Sequence, residues 1–525
     1  MSSQPWHKNT AVFALVCLLI PPLGIVLLWL RPGGIFSRLT VTGALLALTF
    51  VQLFTFYGMR TELDGSGRWP IGFTFASPES HYETLERVRA EAKAAAPLES
   101  PLETVERTEV ANLDVPEPVS PAEPATEQTS SPLPPATIYD AYWTDYRGPN
   151  RDGHYAATPI RADWPADGLP ELWRQTIGGG YASVVIADGR VFTIEQRRQD
   201  EVVAAYDFET GRELWTRAWP GLFQEPMGGD GPRATPTWNE GKIYALGAEG
   251  ELQCLDAATG KLIWRKNILA DHDAPNLQWA MSAAPLVVDD KLIVLPGGRS
   301  GNSIAAYDKE TGALLWTSLD DRAAYVSPML ATLAGRRQVV VLTATRIVSV
   351  APEDGSLLWE HPWATHQGIN SSQPLVLDEN HLFVSSGYGQ GAVLLRISAE
   401  GSGLQSEEVW ANNSLRAKFN SPVLHEGLIY GLDEGILVCL DPRTGQRKWK
   451  GGRYGFGQVL LASGHLIVLT EQGDVVLVRA TPESHQEVTR FSALRGKTWN
   501  NPAIAKGRLI VRNQTEMASY DLRVP

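Results

Sequence analysis

Five stretches, YDFETGRELW at 206–215, LDAATGKLIW at 255–264, YDKETGALLW at 307–316, APEDGSLLW at 351–359 and LDPRTGQRKW at 440–449, are copies of one pattern, and four of them place an Asp eight residues before a Trp. The spacing describes a hairpin. The Asp ends one strand, Thr-Gly supplies a turn whose glycine accepts positive φ, and the Trp sits on the returning strand. Upstream of each copy lies a second hairpin, as in TPTWNEGKIYALGAEGELQCLD (235–256) and SPVLHEGLIYGLDEGILVCLD (421–441), where turn dipeptides interrupt alternating apolar residues. One unit is therefore four short antiparallel strands. Aromatic anchors at Trp173, Trp215, Trp264, Trp316, Trp359, Trp410, Trp449 and Phe491 recur at a pitch of about 39 to 52 residues, the size of a propeller blade.

First strands open at Ser183, Thr235, Ala284, Ser327, Gln373, Ser421, Val459 and Asn501, which makes eight blades. The last unit, 501–524, ends after three strands, while ELWRQ at 171–175 is a fourth strand without a unit. Pairing the two closes the ring and removes both exposed sheet edges. Pro236, Pro285, Pro328, Pro374, Pro422 and Pro502 fall at the start of first strands, where a missing N–H costs least. The repeated Trp read as apolar plates between neighbouring blades. The predicted fold class is all-β: an eight-bladed β-propeller of four-stranded antiparallel blades, preceded by two transmembrane helices.

Residues 10–30 and 39–59 carry no charge, and each is long enough to cross the hydrocarbon core. They predict a two-helix transmembrane hairpin over 10–60, its first span weakened by Pro21 and Pro22. A cleavable signal peptide is the alternative for the first stretch, but only Lys8 precedes the apolar run and no A-x-A-like site follows. Arg31 and Arg38 in the connecting loop favour a cytoplasmic loop; Lys8, Arg60 and Arg68 favour the reverse. Residues 61–140 read as an acidic, Pro-rich spacer too poor in apolar residues to fold, apart from a short helix at 78–95 (core 79–95). The propeller takes 141–525.

A net charge of −13 with no basic run excludes nucleic acid as a partner. Cys17, Cys254 and Cys439 have no C-x-x-C spacing for zinc, redox or haem, and read as buried structural thiols. The glycine runs at 178–180, 228–231 and 296–301 precede no helix pattern, so they are turns rather than phosphate loops.

With the lead-in segment WTDYRGPNRDG (143–153), which carries Trp143, Tyr146, Arg147, Gly148, Pro149, Arg151, Asp152 and Gly153, the repeats resemble the PQQ-binding-like (quinoprotein alcohol dehydrogenase-like) propeller superfamily. Within it the chain looks like the BamB-like envelope proteins. The resemblance covers about 141–525 and implies an extracytoplasmic or periplasmic propeller, while the apolar hairpin predicts that it is anchored at the inner membrane. It names a fold better than an activity. Quinoprotein dehydrogenases of this kind hold PQQ over a Trp beside calcium, with an Asp as base and often a Cys-Cys pair; this chain has no Cys-Cys and no C-x-x-C-H. PQQ and calcium are thus admissible cofactors, neither of them required.

Loops leading into first strands converge on one channel mouth, where chemistry would sit. They carry Arg233, Trp279, Tyr325, Asn370, Lys418 and Asn420, then Lys497, Trp499 and Asn500, a polar cup suited to an anionic or carbonyl-bearing ligand. Capping of blade ends is the plainer account of the same residues. Glu225, Asp230 and Asp320 are the carboxylates available as base or cation ligand if the protein is an enzyme, although no contiguous calcium loop is present and a metal is not expected. The expected function is a membrane-anchored scaffold binding an envelope protein or small ligand at the propeller face; the alternative is a PQQ-dependent dehydrogenase of an alcohol or aldose.

Overall fold

Where the sequence alternates apolar and polar residues, strands form and pair in order. The computed structural model describes residues 10–32, 34–56, 60–63, 70–74, 78–95, 141–225, 228–401 and 403–525. They divide into two units, Met1–Thr84 and Leu85–Pro525.

The second unit is the propeller. Blade 1 runs from Val185–Ala187 through Arg190–Arg197 and Asp200–Asp207 to Glu213–Pro220. Blades 2 to 6 each have four strands in sequence order and open at Thr237–Asn239, Leu286–Val288, Met329–Leu333, Leu375–Val376 and Val423–His425. Blade 7 spans Gln458–Ala462 to Glu487–Ser492, opening one residue before the predicted Val459. Blade 8 combines Ala503–Ala505, Arg508–Arg512 and Glu516–Asp521 with Glu171–Thr176 as its outer strand, in a register that sets Trp173 opposite Ser519 and Gln175 opposite Met517. The ring closes as the sequence implied.

The repeat motif is explained at each blade boundary. Asp207 accepts from the N–H and hydroxyl of Thr210 at 2.8 and 2.6 Å, and the Gly211 N–H returns to the Asp207 carbonyl at 2.8 Å. Gly211 has φ +72°, and a Cβ there would lie 2.6 Å from the Trp173 ring of the preceding blade. At Gly260 the same atom would lie 2.5 Å from Trp215, and at Gly312 2.8 Å from Trp264. The glycine therefore makes the turn and clears a seat for the indole. Each of these indoles then donates to a carbonyl of the next blade: Trp173 to Phe208, Trp215 to Ala257 and Trp264 to Lys309, at 3.0 to 3.1 Å. Trp359 departs from the pattern and donates within its own blade to Gln338 at 2.5 Å. Around Phe491 the lead-in chain supplies the seat, because a Cβ at Gly168 would stand 2.6 Å from that ring.

The prolines come immediately before their first strands, so no ladder N–H is lost. Three of their carbonyls have another role. The lead-in segment enters the hub, pairing Trp143 with Ile186 of blade 1 and, further on, His154 with Leu461 of blade 7. Between these points, buried Arg147 donates to the carbonyls of Ser421 at 3.1 Å and Pro422 at 2.9 Å. Arg151 donates to Pro285, to Pro328 at 2.7 Å and to Ala284 at 3.2 Å, and pairs with Asp145 at 2.7 Å. The segment ties blades on opposite sides of the hub together.

Cys254 and Cys439 occupy equivalent strand positions opposite Tyr244 and Tyr430, fully buried, and burial pushes their thiols up to about 12 and about 11. They are inert structural groups.

The first unit corrects the expected pair of transmembrane spans. Residues 10–30 form two short helices, Thr10–Leu19 and Pro21–Trp29, of 10 and 9 residues. Pro21 has no N–H to continue the first helix, and Ile20 at the break leaves helical geometry with φ −135° and ψ 70°. Among the described residues one helix is long and apolar enough to cross a membrane, Ile35–Phe56, with a 19-residue apolar window at Ile35–Leu53. Strands Arg60–Leu63 and Pro70–Thr74 pair as a hairpin inside the stretch expected to be spacer. The helix Pro78–Ala95 is present, and the part of it in the second unit lies on blade 1, with Leu85 buried, Arg89 on Glu213 at 2.6 Å and Glu86 on Arg198 at 2.6 Å. The rest of the spacer, 96–140, lies outside the described residues.

Candidate functional site

First strands start at the hub, so the loops before them gather at one end of the channel. There the sequence's polar cup is an aromatic rim holding cations. Lys418 has its ammonium 4.9 Å from the Tyr388 ring, 5.1 Å from Phe456 and 5.4 Å from Phe419. Lys497 stands 4.3 Å over Trp499 and donates to the Gly228 carbonyl at 3.2 Å. Arg233 lies 4.9 Å over Phe223 and 5.5 Å over Tyr181, and donates to Gly231 and Gly229 at 2.6 and 2.7 Å. Burial lowers the Arg233 guanidinium from its ordinary value without threatening its charge.

The rings touch across blades. Trp499 of the blade 8 loop is 5.2 Å from Tyr181 and 4.9 Å from Phe419, and Phe419 is 5.6 Å from Phe456. Glu471 fixes the Trp499 indole through a 2.9 Å hydrogen bond. On the other side Trp279 is 5.9 Å from Tyr325, whose hydroxyl burial pushes up. Trp279, Tyr325, Lys418, Trp499 and Arg233 are thus at the rim. Tyr181, Phe223, Tyr388, Phe419 and Phe456 join them, rings that the sequence reading, with Trp279, Tyr325 and Trp499 as its aromatic candidates, did not name.

The asparagines differ among themselves. Asn370 is fully buried, donating to Thr343 at 2.7 Å and accepting from Ser386 at 2.8 Å, so it braces the wall. Asn500 donates to Ala182 at 2.8 Å and Gly180 at 3.2 Å, leaving its oxygen without a partner. Asn420, 1% exposed, has no partner on either amide atom.

Of the three candidate carboxylates, Glu225 and Asp230 share one loop beside Arg233, and Asp320 belongs to another. Glu225 accepts from the Gly228 N–H of its own loop, Asp230 from the Glu225 N–H at 3.3 Å, and exposed Asp320 from Gly301 at 2.6 Å. Each holds a loop closed. No group of three or more His, Cys, Asp or Glu able to hold a metal occurs among the described residues. A calcium beside PQQ draws on converging carboxylate and amide oxygens, and these residues do not fit that requirement.

Fold and repeat chemistry together define an eight-bladed propeller of PQQ-like repeats. The family model described as outer membrane protein assembly factor BamB matches residues 199–451. BamB of Shewanella oneidensis is 24% identical over 311 residues, covering 56% of this chain and 75% of that protein. Quinohemoprotein alcohol dehydrogenase ADH-IIG of Pseudomonas putida is 29% identical over 146 residues, 26% of this chain and 19% of that protein. The solved structure of ADHIIG from the same species superposes with a TM-score of 0.53 at 15% identity, covering 73% of this chain and 80% of that one, a likeness of fold. In its repeats and its fold the chain is similar to the proteins of the PQQ-like β-propeller superfamily.

Proposed function

We propose that this protein is a binding scaffold of the cell envelope, its propeller held on the extracytoplasmic side of a membrane by the N-terminal apolar segment, with an envelope protein as its partner. The observation that carries this reading is the state of Glu225, Asp230 and Asp320. Each caps backbone N–H groups of the loops around it, while the rim presents rings and cations suited to contact rather than proton transfer. Ile35–Phe56 supports the anchor, and the BamB match across most of blades 1 to 6 supports an assembly role.

Crosslinking the intact protein in its native membrane and identifying what is retained tests the scaffold. A single envelope protein recovered in stoichiometric yield, and lost when the rim residues Trp279 and Trp499 become alanine, is the expected outcome. Recovery that is unchanged by those substitutions removes the rim from the reading.

The alternative, a PQQ-dependent dehydrogenase of an alcohol or aldose, is favoured by the partial matches to quinohemoprotein alcohol dehydrogenases, each of which covers about a fifth of the dehydrogenase it matches.

A further inference from the structure

Four charged side chains of alternating sign run from the outer edge of blade 1 inward to the lead of its first strand. The line begins on the helix Pro78–Ala95, in the part that belongs to the propeller unit. Arg89 donates to Glu213 Oε1 at 2.6 and 3.0 Å. Glu213 Oε2 accepts from Arg197 Nη2 at 2.7 Å, and Arg197 Nε donates to Glu195 Oε1 at 2.9 Å. Glu195 Oε2 then accepts from the Gly178 N–H at 2.5 Å. Side-chain exposure falls along the line, from 35% at Arg89 and 22% at Glu213 to 9% at Arg197 and 0% at Glu195.

The inner end carries the rim. Gly178, Gly179 and Gly180 have no side chains to fix their backbone, so bonds from outside must do it. Gly179 donates to the Gln196 carbonyl at 3.0 Å, Gly180 to Gln514 Oε1 at 2.8 Å and Tyr181 to the Pro232 carbonyl at 2.8 Å. Of the four N–H groups only that of Gly178 meets a charged acceptor, the stronger kind of bond. Tyr181, next in the chain, packs 5.2 Å from Trp499 and lies beneath Arg233 and Lys497.

Arg197 is the point of decision. Its Nη2 bonds both carboxylates, while its buried Nη1 has no partner, so the guanidinium is suspended between two competing acceptors. Arg89 neutralises the outer competitor. We propose that the helix Pro78–Ala95 is a strap that sets the shape of the rim through Arg89. With the strap docked, Arg197 stays on Glu195 Oε1 and so aims Oε2 at Gly178. With the strap lifted, Glu213 draws Arg197 outward, Tyr206 alone is left on Oε1, and the hold on Gly178–Tyr181 slackens.

The inference takes the rim as the binding face proposed above, but its test needs no partner. Amide hydrogen exchange of the full-length protein in detergent is followed by mass spectrometry over residues 176–182. Arg89→Gln should speed exchange there at least fivefold, with the first-strand leads of blades 3 to 6 unchanged. Glu213→Gln alone should stay within twofold of the parent, because the outer pull is gone. The decisive protein carries both substitutions: its strap has lost this tie, yet protection should return to within twofold of the parent. Unchanged exchange in Arg89→Gln overturns the relay. Exchange as fast in the double variant as in Arg89→Gln also overturns it, by reducing Arg89 to a packing contact. Either failure leaves the crosslinking test of the rim standing.

Discussion

At the scale of single residues, the least expected feature is how much of the hub depends on two arginines. Arg151, 2% exposed, bonds carbonyls in the first-strand leads of blades 3 and 4 and pairs with buried Asp145. Replacing it with Met strands Asp145 as an unpaired buried charge, so urea unfolding should show a loss of about 3–5 kcal/mol. Glu201 makes a second case. It is buried between blades 1 and 2, accepting from Trp219 at 3.0 Å and from the Ala248 N–H at 2.7 Å, and burial pushes its carboxyl up to about 7. Because the folded protein holds this proton more tightly than the unfolded chain, the group favours folding most at low pH. That advantage falls as pH rises from the unfolded carboxyl's value near 4.3 and is lost above about 7, a change of about 4 kcal/mol. The urea midpoint should therefore decline between pH 5 and 8, and Glu201→Gln should flatten that decline; an equal slope in the variant would exclude Glu201 as its source.

At the scale of elements, the motif Asp-x-x-Thr-Gly was legible because its turn chemistry is local: Asp207 and Thr210 are three residues apart. What the glycine clears room for was not legible, since Gly211 meets Trp173 from the neighbouring blade. The same limit applied to the site. Lys418 and Arg233 stand out in a sequence as charges, but the rings that hold them come from loops far apart in the chain, and Asn370 looks like Asn420 until its bonds to Thr343 and Ser386 are seen. The apolar run at 10–30 misled in another way, because composition averages over the break that Pro21 makes. Ring closure was readable, since three strands at one end and one at the other leave a single solution. Deleting residues 171–175 exposes the Glu516–Asp521 edge and unseats Trp173 from Gly211, so the truncated protein should aggregate or melt at least 10 °C lower by circular dichroism. A truncated chain melting like its parent would break the closure argument.

At the scale of the molecule, eight blades built to one plan leave function to the departures from it: a lead-in segment tying the hub, a helix laid on blade 1, and a rim whose cations rest on aromatic faces. The three candidate carboxylates accept from loop N–H groups, and the proposed scaffold reading rests on that. Reconstitution with PQQ and Ca²⁺, followed by dye reduction across a panel of alcohols and aldoses, puts that claim to the most direct test. Absence of reduction above the cofactor-free rate, with no stoichiometric PQQ binding, is the predicted result. One PQQ bound per chain with substrate-dependent dye reduction would contradict it.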